Sequence, residues 1–353
     1  MAADWYVFLD TSAYVASNFS FRSNEFQELI GLCNSGEVKI ITTDITVNEV
    51  KKKIHDGVNS AKTILKRMRS EARILYRVGN NNFAPIFAPF DSKHIEAELV
   101  NNFNSFLQKV SSLFLEASCI PGKKVFELYF EQQPPFGPDG KKDEFPDAFV
   151  LEKLNEWAQA TNSHICIVST DADFEKYSRD KPVFQYFKSL GSFIEVALAS
   201  HTPSVDVVHE LIDNNRDDIE KAIGTFAEGL WVLLDDVDGD AHIDEVLQVK
   251  MSDENVISVS TNRAIVQGIA RVKLRIHLDY NDPDSYYRDD DDGTINYLRK
   301  IEKVAERDFT LNVEIEIHYN SDDLEDIDVT RITVNRDEPI FTYAEMNPND
   351  YYK

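Results

Sequence analysis

In Trp5-Tyr6-Val7-Phe8-Leu9-Asp10-Thr11-Ser12, five large apolar and aromatic residues run without a polar break and stop at an aspartate. A strand with one wet face alternates in polarity. An uninterrupted run marks a strand covered on both faces, as in a parallel sheet between helices. The pattern therefore predicts a short buried strand with Asp10 at its carboxyl end.

The same kind of unit recurs outward from this strand. Glu25 to Leu32 reads as a helix closing near Asn34-Ser35-Gly36, and Val38-Lys39-Ile40-Ile41 as a second strand. Thr42-Thr43-Asp44 turns into and caps a helix that carries Glu49. A basic stretch continues from it to about Val78 as one or two helices, and Gly79-Asn80-Asn81-Asn82 with Pro85 and Pro89 then breaks the pattern. From Ser92 to about Ala117, Ile95, Leu99, Phe103, Phe106, Leu107, Val110, Leu113 and Phe114 recur at steps of three and four, which predicts one long amphipathic helix with its aromatic stripe in the core. Gln133-Pro134-Pro135-Phe136-Gly137-Pro138-Asp139-Gly140 is a loop, and Pro146 opens a helix with Asp147 beside it. His164-Ile165-Cys166-Ile167-Val168-Ser169 is a further strand, followed by Thr170-Asp171-Ala172-Asp173-Phe174, and Phe193-Ile194-Glu195-Val196 is expected as a last, shorter strand.

Alternating strands and helices predict an α/β domain over residues 1–200, with a helical insertion at about 79–145. After Thr202-Pro203-Ser204 the style changes to a helix pair in 205–234. Runs with period-two alternation follow at 256–259, 265–278, 309–319 and 329–334. Residues 201–353 are therefore expected as a separate C-terminal α+β domain, with Asp289-Asp290-Asp291-Asp292-Gly293 as a solvated loop.

The net charge of −25 argues against a nucleic-acid partner for the chain as a whole. The acidity is unevenly spread, however. Residues 1–200 hold 22 Lys/Arg against 26 Asp/Glu, and residues 201–353 hold 15 against 36. Within 51–77 there are nine Lys/Arg and two acids. Lys51, Lys52, Lys53, Lys62, Lys66, Arg67, Arg69, Arg73 and Arg77 either track a phosphate backbone or form an ordinary solvated helix face. Lys141 and Lys142 lie on the loop before Asp147 and are a further candidate contact. Three scattered cysteines fit a reduced, cytoplasmic protein rather than a disulfide or thiolate-metal framework. No apolar run is long enough to span a bilayer.

Any single acid among 62 is uninformative, so position has to carry the argument. Asp10 and Asp171 follow strands, while Glu49 and Asp147 sit on helices that start near the same sheet end. Ligands bind beyond the carboxyl ends of the strands in open parallel sheets, so these four carboxylates converge on one crevice. Packed together they repel, and a hard divalent cation with oxygen ligands, Mg²⁺ or Mn²⁺, relieves the repulsion. Such a centre suits phosphodiester hydrolysis.

Four motifs carry a family resemblance. Val7-Phe8-Leu9-Asp10-Thr11-Ser12, Val47-Asn48-Glu49-Val50, Phe145-Pro146-Asp147-Ala148-Phe149-Val150 and Ser169-Thr170-Asp171-Ala172-Asp173-Phe174 resemble, in order, the four motifs of the PIN-domain nucleases. The resemblance spans roughly residues 5–196 and is to the bacterial type, with an extra C-terminal domain. It implies a three-layer α/β/α fold with a central parallel sheet, and metal-dependent cleavage of single-stranded nucleic acid, most often RNA, by an endoribonuclease used as a toxin or defence effector. It further implies Asp10, Asp147 and Asp171 as the main metal ligands and Glu49 completing the shell. Asp173 would bind a second ion or orient a water, and Thr11, Ser12 and Thr170 would hydrogen-bond the carboxylates or a phosphate. The long 79–145 segment and the C-terminal domain depart from compact members of the family.

The competing reading is a catalytically silent scaffold that binds a protein partner through its acidic C-terminal domain. That domain would either shield the basic stripe or dock a basic partner. A haloacid-dehalogenase-type phosphohydrolase needs a second Asp two residues after Asp10, where this chain has Ser12. Asp236-Val237-Asp238-Gly239-Asp240 imitates a calcium loop but has Ala241 and Leu247 where the tight-turn glycine and the bidentate acid belong, so it reads as an acidic turn. His55, His94 and His164 are scattered and suggest neither a zinc pair nor a triad. Oligomeric state is left open.

Overall fold

The apolar run becomes β1 (Trp5–Leu9), the middle strand of a five-stranded sheet. The computed structural model describes residues 5–77, 83–137, 144–199, 204–260, 262–288, 295–320, 323–335 and 338–344. The Gly79-Asn80-Asn81-Asn82 break, Lys141, Lys142 and the 289–292 aspartate run lie outside the described residues. The chain divides into two units, Met1–Ala197 and Leu198–Lys353.

In the first unit β1 is followed by α1 (Thr11–Ala16), α2 (Asn24–Ser35), β2 (Val38–Thr43) and the 28-residue α3 (Asp44–Glu71). Then come α4 (Ala84–Phe87), α5 (Ser92–Lys109), β3 (Leu113–Leu115), α6 (Gly122–Phe130), α7 (Phe145–Thr161), β4 (Ile165–Val168), α8 (Ala172–Arg179), β5 (Phe184–Phe187) and α9 (Leu190–Ala199). The strand order is β3-β2-β1-β4-β5 and every pairing is parallel. This is the α/β/α architecture expected from the apolar runs. Strand alternation divides the core into two layers. Phe8, Ile41, Ile165 and Ile167 pack with Leu151, Leu154 and Phe174 from α7 and α8. On the other face Tyr14, Phe26, Phe103 and Phe106 interlock, with the Tyr14 and Phe103 ring centroids 5.3 Å apart and those of Phe26 and Phe106 5.1 Å apart. Phe103 and Phe106 are fully buried, so those rings of the aromatic stripe are core packing, whereas Phe114 is exposed.

Two local expectations are corrected. The helix expected from Ser92 to Ala117 ends at Lys109, and Leu113–Leu115 is a strand. Ser111 takes a left-handed backbone (φ 46), with the Ser112 N–H bonded to the Leu107 carbonyl and the Ser111 N–H to the Gln108 carbonyl. That is a Schellman stop, normally announced by glycine but built here on serine. The apolar spacing runs through the stop without a break, and β3 then adds to the sheet edge beside β2. The segment read as a helical insertion thus supplies one of the five strands. The second correction concerns Phe193-Ile194-Glu195-Val196, which lies in α9 rather than in a strand. The Ser192 N–H donates to Ser189 Oγ (3.1 Å) and the Ser189 N–H to Ser192 Oγ (3.3 Å), reciprocal bonds that start a helix. A short apolar run fits either element. The fifth strand is instead Phe184–Phe187.

The second unit opens with α10 (Ser204–Asn214) and α11 (Arg216–Ala227). Its strands are β6 (Val232–Leu234), β7 (Gly239–Ser260), β8 (Arg263–Asn281), β9 (Tyr286–Arg288), β10 (Ile295–Tyr297), β11 (Lys300–Asn320), β12 (Asp323–Val334) and β13 (Ile340–Thr342). Six of them form a mixed sheet in the order β12-β11-β8-β7-β6-β13, with β13 parallel to β6. On β8, Val266, Ala270, Val272, Leu274, Ile276, Leu278 and Tyr280 are buried while Arg271, Lys273, Arg275 and His277 face the other way. The helix pair covers the buried face, reaching both β7 and β12. Among the described residues no helix is long and apolar enough to cross a membrane.

Candidate metal centre

The carboxyl ends of β1 and β4 lie side by side, because Leu9 and Val168 are register partners. Asp10 and Ser169 therefore leave the sheet together. The Asp10 N–H continues the pairing to the Val168 carbonyl (3.0 Å). Buried Asp10 caps α1, accepting from the Ser12 N–H (3.1 Å) and from Ser169 Oγ–H (2.9 Å). Ser169 Oγ also accepts the Asp171 N–H (3.0 Å) and lies 3.3 Å from Ser12 Oγ, which in turn accepts the Thr170 N–H (3.0 Å). One fully buried hydroxyl thus ties the two strand ends together.

Asp171 caps α8 by accepting the Asp173 N–H (2.8 Å). The Thr43 side chain caps α3 through the Thr46 N–H (3.0 Å), and Glu49 follows in the second turn of that helix. There Glu49 accepts from Thr11 Oγ1–H (3.0 Å). Pro146, in the first turn of α7, brings Asp147 into the same crevice.

Glu144, Asp147 and Asp171 each offer a carboxylate oxygen within 4.8 Å of the other two. The half-buried Asp147 carboxyl is pushed up to about 9, first by burial and then by the negative charges of Asp10, Glu49 and Glu144. Burial and Asp10 also raise Glu49, while the Thr11 hydrogen bond, Lys53 and Lys52 pull it back. This is the electrostatic signature of carboxylates packed without a counterion. Among the described residues no histidine or thiol joins the group, and an all-oxygen donor set fits a hard divalent cation of the Mg²⁺ or Mn²⁺ kind.

The structure gathers Asp10, Glu49, Asp147 and Asp171, with Thr11 and Ser12 holding two of them. Asp173 is engaged differently. Its buried carboxylate pairs with Lys176 Nζ at 2.7 Å within α8. Two participants were missed by sequence reasoning. Glu144 was not singled out, and its signal is its position three residues before Asp147, at the start of the same helix. Ser169 had read only as the end of a strand, although it opens the fourth motif.

The first half of α3 is anchored by the buried stripe Thr46, Val50, Ile54 and Val58, and most of the rest is exposed. Lys51 is half-buried and Lys52, Lys53, Lys62 and Lys66 are exposed. Among the described residues none of these five has an ion-pair partner. Arg67 pairs with Glu71, and Arg69 donates to the Ile86 and Ala88 carbonyls, so those two serve local structure.

Comparison with known proteins agrees with this geometry. A family model described as PIN domain matches residues 7–174, from the middle of β1 to α8, so all four motifs fall inside it. No curated protein and no solved structure gives a match. The five-stranded parallel sheet, the carboxylates at its strand ends and the matching model make the N-terminal unit of this chain a member of the PIN-domain family, a nuclease-type fold.

Proposed function

We propose that this protein is a divalent-metal-dependent nuclease that hydrolyses phosphodiester bonds in single-stranded nucleic acid, with Asp10, Glu49, Asp147 and Asp171 as its catalytic carboxylates. RNA is put before DNA because PIN nucleases act on RNA most often. The observation that carries the reading is the convergence of Glu144, Asp147 and Asp171 within 4.8 Å, beside Asp10 and Glu49, at the carboxyl end of a parallel sheet. Like charges in one crevice destabilise the metal-free fold, and a silent scaffold has no use for them.

When bound, Mg²⁺ or Mn²⁺ supplies a water of lowered pKa and positive charge facing the departing oxygen. The protein's own part is positioning. Ser12 and Ser169 fix the Asp10 carboxylate, Thr11 fixes Glu49, and the Asp173 N–H fixes Asp171. Lys52 and Lys53, whose charges act on Glu49, would meet the substrate backbone at the crevice edge, with Lys51 alongside. The exposed Thr170 is a further contact for a phosphate oxygen. This reading confines the chemistry to residues 1–200 and leaves residues 201–353 as a separate acidic domain.

The test is one panel: end-labelled single- and double-stranded RNA and DNA, with and without Mn²⁺, wild type beside Asp10→Asn and Asp147→Asn. Single strands should be cut only with metal, and each variant should lose at least about 100-fold in rate. Undiminished cleavage by Asp10→Asn would remove the proposal. Failure of the wild type to bind Mn²⁺ in calorimetry would favour the scaffold.

A further inference from the structure

The second unit carries a cluster of quite different chemistry. His242 on β7 and His277 on β8 are register partners, with ring centroids 4.8 Å apart and planes 16° from parallel. Asp244 stands between them: Oδ1 lies 3.3 Å from His242 Nε2 and Oδ2 lies 3.9 Å from His277 Nδ1. One nitrogen of each ring and one carboxylate oxygen all lie within 4.8 Å of one another. We propose that His242, Asp244 and His277 form a binding site for a borderline transition-metal cation of the Zn²⁺ class, separate from the carboxylate centre of the first unit.

A ladder irregularity favours this over a plain surface ion pair. Register shifts between Ile243 and Glu245, which makes Asp244 the extra residue of a bulge with no partner opposite. Bulges re-aim a side chain in this way, and here the side chain turns to both rings at once. Zn–N bonds of about 2.0–2.1 Å put tetrahedral ligand atoms about 3.3 Å apart. The His242–Asp244 separation already matches that, and the stacked rings must turn out of parallel to aim both nitrogens at one ion.

Two imidazoles and one carboxylate leave a fourth position for water. Imidazole nitrogen suits Zn²⁺, Co²⁺ or Ni²⁺ and is a poor ligand for Mg²⁺. The basic neighbours on this face are paired, Arg275 with Glu245 and Glu306 and Lys273 with Glu306, and acids stand beside the cluster. Asp240 pairs with Asp279 two rungs away and shares the face by strand alternation. Asp279 Oδ1 is buried with no hydrogen-bond partner among the described residues, while its Oδ2 lies 3.5 Å from Lys300 Nζ.

Co²⁺ reports such a site by its visible absorption, and Zn²⁺ displaces it. The full-length chain carrying Asp10→Asn and Asp147→Asn, which cripples the carboxylate centre, should bind one equivalent of Co²⁺ and yield it to Zn²⁺ but not to millimolar Mg²⁺. Adding His277→Ala should weaken binding at least 10-fold, and His242→Gln, at a more exposed position, should do the same with the melting transition preserved. No saturable Co²⁺ spectrum, or one unchanged by both histidine variants, would overturn the proposal. Neither result depends on whether the first unit cleaves RNA.

Discussion

At Asp147 the folded chain holds a carboxyl against its own chemistry. Burial and three neighbouring acids lift it from an ordinary value of 3.8 to about 9. An acid that grips its proton more tightly in the folded state loses stability as pH rises between those values, because the folded form must ionise a group that resists ionisation. Asp147→Asn removes that penalty. The metal-free variant should melt above wild type at pH 8, by roughly 2–4 °C for about 1 kcal/mol, and the gap should close toward pH 4. Calorimetric scans at the two pH values check this; a gap independent of pH would contradict it. Ser169 acts through geometry instead. Ser169→Ala leaves the Asp171 N–H without its partner and Asp10 Oδ2 with the Ser12 N–H, and should cost about 1–3 kcal/mol of stability and about 10–100-fold in cleavage. Ser169→Thr, which keeps the hydroxyl, should recover part of the rate. Little in the sequence separated Glu144 or Ser169 from many other acids and serines. Asp10 and Asp171 were legible because each follows an unbroken apolar run.

Among the elements, those with strong periodicity or a side-chain cap were readable. The 28-residue α3 announces itself with Thr43 at its cap, and α7 with Pro146 in its first turn. In the first unit the misread boundaries are decided by backbone conformation alone, at the Ser111 stop, or by an ambiguous four-residue run, at Phe193; in the second, the helix pair expected through residue 234 ends at Ala227 and Val232–Leu234 is a strand. In the second unit, helix and sheet are joined through a buried acid. Glu220 on α11 accepts the Met251 N–H (3.0 Å) and Lys250 Nζ (2.9 Å) from β7. Glu220→Ala should strand the Met251 N–H and lower stability by about 1–3 kcal/mol in a urea titration. Gly224 explains how the helix comes so close, since a Cβ there would already touch Val249 at 3.4 Å. In the first unit, Phe106→Ala should cost about 3–5 kcal/mol, because its ring fills the aromatic layer behind the sheet.

For the molecule as a whole, the uneven charge sets an expectation about nucleic-acid affinity. Binding through lysines on α3 releases counterions, so affinity for single-stranded RNA should fall with salt at a slope near −0.7 per phosphate contact. Replacing Lys52, Lys53, Lys62 and Lys66 with Gln should flatten that slope by about 0.7 for each lysine that touches phosphate. Anisotropy titrations in an Asp10→Asn background, where the RNA survives, measure it. A slope unchanged by all four substitutions would mean that this helix face is merely solvated. The sequence by itself determined the covered strands, the carboxylates at their ends, the basic stretch and the acidic remainder, because burial on two faces and clustered charge are written in consecutive residues. Only the tertiary structure decided that Glu144 joins the centre, that Lys176 engages Asp173, that Leu113–Leu115 completes the sheet, and that His242 faces His277. Those outcomes depend on which side chains packing brings together, across separations as large as the 159 residues between Asp10 and Ser169, and on backbone turns that local composition does not specify.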